Sequence, residues 1–261
     1  MFIKILLIIL LSLLISCRGG GGVFVGIPPY LGFTESFFKG GVKVLVSSPH
    51  LHEVEPGKIM ELKGGVYIAV GSGIEFEVLN LGKIGDVAEV IDSSRGVKVE
   101  GGDPHIWFSL KNIPVIVENI YEGLSSLYPG LIEPSGKEEY LRRVRELDRY
   151  FEEAFRGFEG REVFVYHPAF GYFLRDYGLL QVAIEEKGRE PTPSRLKEII
   201  ERAKASHTRV IFATPFSNLK LCELVAKEIG GKVVVIDPLS EDILSEIEKF
   251  GREVLKCLRS S

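Results

Sequence analysis

SGKEEYLRRVRELDRYFEEAFRGF, residues 135–158, divides the chain. Tyr140, Leu141, Val144, Leu147, Phe151, Phe155 and Phe158 recur every three or four residues, which lays apolar side chains along one stripe of a helix. Ser135 and Glu138 have the spacing of a capping box, and Gly157 and Gly160 supply a stop. At about 1.5 Å per residue such a helix runs roughly 30 Å, the width of a small domain. The pattern predicts a rigid spine, residues 135–159, joining two lobes.

On either side of the spine, β-branched runs alternate with helix-like stretches. Residues 23–27, 42–46, 66–70 and 87–91 read as strands of a first lobe, 23–134. Residues 162–166, 209–212 and 232–236 read as strands of a second lobe, 160–261, with amphipathic helices between the last of them. Strands alternating with helices predict an α/β fold of mainly parallel sheets, each covered on both faces. Thr192 before Pro193 opens a helix over 194–205, and Ser217 or Asn218 caps one over 219–229 that Gly230 ends. Residues 106–128 read as one helical stretch, whereas 28–39, with adjacent prolines, does not read as a full helix and makes the first lobe look abbreviated.

With 261 residues, 45% of them hydrophobic, the chain can bury a core in each lobe. Its 36 acidic and 32 basic side chains leave a net charge of −4 and no excess to neutralise phosphates, which excludes nucleic acid as a partner. Residues 1–16 are an export signal: Lys4 precedes an apolar stretch over 5–15 broken only by Ser12, too short to span a bilayer well. Leu14-Ile15-Ser16-Cys17 resembles a lipoprotein signal, in which Cys17 is acylated and becomes the mature N-terminus, followed through residue 22 by a glycine tether. An ordinary secretory signal or an uncleaved anchor is the alternative, and each puts the folded part outside the cytoplasm. There, Cys222 and Cys257 are candidates for a disulfide contributing about 3 to 4 kcal/mol, or remain two separate thiols.

The chemistry lies in histidines. His50, His105 and His167 each abut a proline, and His50, His167 and Asp237 follow strand-like runs, while His105 follows the turn Gly101-Gly102. Taken singly each is explained as a turn residue. Four such residues at the mouths of two α/β lobes point to a metal between them, because ligands gather at the carboxyl ends of parallel strands. Three imidazoles and a carboxylate suit Zn2+, whereas Mn2+ prefers carboxylates and water. His52, Glu53, Asp103 and Tyr166 are candidates to orient the imidazoles through hydrogen bonds, and His52 is also a substitute for His50. His207, at the end of a helix, reads as a surface residue. Because a ligating imidazole must be neutral, affinity is expected to fall below about pH 6.5.

SSPHLHEVEP (47–56), DPHIWFSLKN (103–112), YHPAFGYFLRDYGL (166–179) and VVVIDPL (233–239) resemble segments of the zinc/manganese ABC-transporter solute-binding lipoproteins, over nearly the whole mature chain. The resemblance implies two α/β lobes bridged by one long helix that permits only slight movement. It also implies metal ligands at His50, His105, His167 and Asp237, and a lipid-anchored monomer that hands its ion to an ABC-transporter permease without chemistry on it. The chain departs from many zinc-specific relatives in having no histidine over 53–104, hence no histidine-rich loop, and in carrying Thr214 where relatives often have glutamate. Three other readings compete, the first a manganese-binding member of the same family. A secreted zinc hydrolase needs Asp237 not to ligate and Glu185 or Glu186 as general base, without any HExxH motif in support. A surface adhesin would use the metal only to stabilise the fold.

Overall fold

Eight short strands of the described residues form two four-stranded sheets, and every pairing in them is parallel. The first sheet holds β1 (Val23–Val25), β2 (Val42–Val44), β3 (Val66–Ala69) and β4 (Glu89–Asp92) in the order β2-β1-β3-β4. The second holds β5 (Glu162–Val165), β6 (Leu180–Ala183), β7 (Val210–Ala213) and β8 (Lys232–Val235) in the order β6-β5-β7-β8. Both sheets therefore reverse strand order between their first and third strands, the position that opens a crevice in such folds. The computed structural model describes residues 22–45, 62–73, 89–185 and 188–260.

Seven α-helices of the described residues accompany these strands: α1 (Pro28–Glu35), α2 (Ile113–Leu127), α3 (Pro134–Ala154), α4 (Gly171–Asp176), α5 (Pro193–Ala205), α6 (Leu219–Glu228) and α7 (Ile243–Arg259). Where side chains cap helices, the expected boundaries hold: Thr192 Oγ1 accepts from the Arg195 amide, and Asn218 Oδ1 from the Leu221 amide. Three expectations are corrected. The spine α3 starts at Pro134 behind Glu133 with no side-chain cap, so Ser135 sits inside the first turn rather than heading a capping box. Residues 28–35 do form a helix, because Pro28 and Pro29 occupy its first turn, where a missing N–H costs nothing. The stretch from Ile106 is a run of turns until α2 begins at Ile113. Strand β6 was not anticipated; Leu180-Gln-Val-Ala is short and carries a polar residue, and it pairs with β5.

The second sheet shows why two faces must be filled. Val163 and Val165 of β5 point into the large core, with Phe212 of β7 and with Ile247, Phe250 and Val254 of α7. Phe164, Tyr166 and Ile211 point the other way, against Ile199 of α5 and Cys222 and Val225 of α6. Cys222 and Cys257 belong to these opposite faces, and no disulfide joins them. The bridge considered from the sequence is thus prevented by a sheet lying between the two helices.

One core runs through both lobes: Val25 and Ile68 of the first sheet and Val165 and Phe212 of the second belong to the same buried cluster. Its centre is aromatic. Phe250 stacks on Phe170 at 4.6 Å and meets Phe212, Phe173 and Phe108 at 4.9, 5.3 and 5.7 Å. Such pairs contribute about 0.5–1.5 kcal/mol each beyond the area they bury. The spine packs on α2 on one side and α7 on the other. Gly251 lets α7 approach closely enough that a Cβ there would overlap the Phe151 ring of the spine. His207 is exposed and takes a left-handed φ of 55° just past the end of α5, as a surface residue at a helix terminus.

Candidate metal centre

His167 is the second residue after β5, and Glu185 the second after β6. Since Val165 lies beside Ala183 in the parallel register, these two positions are neighbours across the strand ends. His167 Nδ1 stands 3.2 Å from Glu185 Oε1 and 3.3 Å from Oε2.

His105 is placed by a turn that Asp103 closes. Asp103 Oδ1 accepts the His105 backbone N–H at 3.0 Å and lies 2.8 Å from His105 Nδ1. Ser72, just past β3, donates its hydroxyl to the Pro104 carbonyl at 2.6 Å, fixing this turn to the exit of a first-sheet strand. The two imidazoles meet with ring centroids 5.3 Å apart and planes at 79°. With each Nδ1–H donated to a carboxylate, the lone pair of each ring is on Nε2.

His105 is only 6% exposed. Burial, the largest influence, holds its imidazole below the ordinary histidine pKa, against the opposing pull of Asp103. It is therefore neutral at pH 7, the state in which imidazole binds metals. Burial alone would raise the Asp103 carboxyl, but the hydrogen bonds and charge of His105, with Arg175 beyond, hold it below the usual range.

The two rings face a cleft of about 410 Å³, whose wall includes Tyr166, Glu185, Thr214 and Pro238. Thr214 follows β7, and its N–H donates to Ser217 Oγ at 2.9 Å. Asp237 follows β8 by two residues. Its Oδ1 accepts the Leu239 N–H at 2.9 Å and its own N–H donates to Glu246 Oε2 at 2.9 Å, while Pro238 and Leu239 line the cleft. The indole N–H of Trp107 donates to the Pro238 carbonyl at 2.7 Å, which ties the segment carrying His105 to the segment carrying Asp237.

The structure thus brings together His105 and His167, each with a carboxylate behind it, and sets Asp237 at the exit of the edge strand β8, separated from β5 by β7. Among the described residues no group of three or more His, Cys, Asp or Glu side chains forms a metal-binding cluster. His50, His52, Glu53, Glu186 and the acylation candidate Cys17 lie outside the described residues. Of the residues named to orient imidazoles, Asp103 contacts His105 and Tyr166 contributes to the wall. Glu185, weighed in the sequence only as a hydrolytic base, stands behind His167; pairing β6 beside β5 is the signal that would have found it.

The family model described as ZnuA, zinc-uptake complex component A, periplasmic, matches residues 42–250. Zinc-binding lipoprotein AdcA of Streptococcus pneumoniae (strain ATCC BAA-255 / R6) is 31% identical over 163 residues, 61% of this chain and 32% of AdcA. High-affinity zinc uptake system protein ZnuA of Bacillus subtilis (strain 168) is 30% identical over 163 residues, 61% of this chain and 51% of that protein. The chain thus matches about a third to a half of the length of these relatives. A crystal structure of ZnuA superposes with a TM-score of 0.82 at 28% identity, covering 91% of this chain and 99% of that one. By the extent of the family match, this chain belongs to the ZnuA family of periplasmic zinc-uptake components.

Proposed function

We propose that this protein captures a zinc ion outside the cytoplasmic membrane and delivers it to the permease of an ABC transporter. The observation that carries this reading is the His105–His167 pair: two imidazoles from opposite halves of the chain, 5.3 Å apart at a cleft, each with Nδ1 against a carboxylate. In this reading His50 and Asp237 complete the site, and the ion is cargo, held without reaction. Three imidazoles and one carboxylate favour zinc over manganese, which takes harder oxygen donors. The relatives' names, a zinc-binding lipoprotein and a zinc uptake system protein, support the same cargo and a lipid anchor, and the periplasmic family supports an extracytoplasmic location; in this reading Cys17, by its place in the sequence, is the acylated residue.

The family is one of solute-binding transport components rather than enzymes. Glu185, one of the two residues considered as a hydrolytic base, stands instead against His167.

Elemental analysis and zinc titration of the purified protein and of His105→Ala, His167→Ala and Asp237→Ala test the proposal. The parent chain should hold one zinc ion, and the two histidine variants should lose it while their circular dichroism stays that of the folded protein. Asp237→Ala should bind more weakly. Full occupancy in all three variants, or none in the parent, contradicts the reading.

A further inference from the structure

We infer that Tyr172 and Arg175, both on α4 of the second lobe, are positioning residues for Asp103 and, through it, for the His105 imidazole of the first lobe. The inference deepens the zinc reading and rests on it for its affinity readout only.

The loop ahead of His105 is a tight turn closed by one backbone hydrogen bond, from the Asp103 N–H to the Glu100 carbonyl at 2.9 Å. Gly101 and Gly102 take φ of 59° and 74°, the left-handed conformations that glycine adopts without steric cost. Tyr172 closes that loop from the other lobe: its hydroxyl accepts the Glu100 N–H at 3.0 Å and donates to the Asp103 carbonyl at 2.9 Å. Both hydrogen-bonding roles of the phenol are spent on the two ends of the glycine turn.

Arg175 then divides the Asp103 carboxylate. Its Nη2 lies 3.7 Å from Asp103 Oδ2 and its Nε 3.4 Å from Glu100 Oε2, with the guanidinium 4.4 Å over the Tyr172 ring. Oδ1 is left to accept from the N–H and face the ring of His105. Gly171 backs this arrangement, since a Cβ there would come within 2.8 Å of Asp103 Oδ2. The carboxylate that orients His105 is therefore clamped by side chains on the far side of the cleft, and the two lobes must be in their observed relation for His105 to be aimed.

A clamp of this kind differs from a mere staple between lobes, because its loss should act through Asp103. The test uses the full chain with 15N-labelled histidine, in Tyr172→Phe, Arg175→Ala, Asp103→Asn and the two double variants. Zinc-free spectra report the His105 ring, and competition with a zinc chelator gives affinity for the zinc ion. Arg175 is 41% exposed in its side chain, so its removal leaves the fold intact should Tyr172→Phe not.

Asp103→Asn should weaken zinc binding by about 10- to 100-fold, as loss of an orienting partner does. Tyr172→Phe and Arg175→Ala should shift the His105 ring resonances, weaken binding by a smaller factor within that range, and add nothing on the Asp103→Asn background. Unchanged His105 resonances in both single variants, or a full additional loss in the double variants, overturns the inference. If the parent binds no zinc while the His105 resonances still move, the zinc reading fails and the clamp stands.

Discussion

The two histidine–carboxylate pairs differ in how firmly they are held. The His105 side chain is 8% exposed, its Nδ1 is 2.8 Å from Asp103, and its turn is fixed by Ser72 on one side and Tyr172 on the other. The His167 side chain is 36% exposed, and its Nδ1 shares both oxygens of Glu185 at 3.2 and 3.3 Å. One imidazole is aimed before any ion arrives, and the other retains freedom that binding must remove. Ordering costs fall on the side that is loose, so the rigid ligand contributes more affinity per bond.

The largest effects should come from the ligands themselves. Removing either imidazole with alanine should cost more than the roughly 10- to 100-fold that loss of an orienting partner costs, with His105→Ala worse than His167→Ala by calorimetric titration with zinc. Equal losses would erase the distinction. Next, Asp103→Asn should fall near the top of that range and Glu185→Gln near its bottom; the reverse order would mean that the exposed pair governs the site.

A smaller effect is expected at the seam. Trp107→Phe leaves the Pro238 carbonyl without its 2.7 Å donor and should lower stability in urea by about 1–3 kcal/mol, affecting both ligand segments at once. No change in the unfolding midpoint would show that the tie is not needed.

The smallest effect depends on pH and concerns Asp176, which accepts the Ser109 hydroxyl at 2.6 Å beside the His105 segment. Burial raises its carboxyl to about 6, despite the Ser109 hydrogen bond and Lys111. A carboxyl with a raised folded-state pKa keeps its proton better when folded, so stability is lost as pH rises from about 4 to 6. Asp176→Asn lacks this loss and should gain on the parent by about 1–2 kcal/mol between pH 4 and pH 7, allowing for solvent screening. A difference that is flat across this window would remove Asp176 as a source of strain on the rigid side.

Much of this architecture is legible in the sequence wherever local chemistry decides it. Thr192 and Asn218 mark helix starts because each side chain satisfies an amide in its own first turn. Seven of the strands follow from β-branched runs, whereas β6 owes its existence to pairing with β5 and not to its own residues. The placing of Glu185 behind His167 and of Tyr172 behind Asp103 could not be read from spacing, since both depend on tertiary contacts that cross strands or lobes. That His105 and His167 reach the cleft was legible because each abuts a proline in a turn, the second of them just past a strand. The separation of Cys222 from Cys257 required knowing which face of the second sheet each helix covers.

The central claim is that the imidazoles of His105 and His167 bind one zinc ion in company with further nitrogen and oxygen donors. X-ray absorption at the zinc edge of the loaded protein tests it most directly. The account predicts about four nitrogen and oxygen neighbours at roughly 2.0–2.1 Å, with the outer-shell scattering of at least two imidazole rings that disappears stepwise in His105→Ala and His167→Ala. A shell of sulfur, or of six oxygens without imidazole scattering, would contradict it.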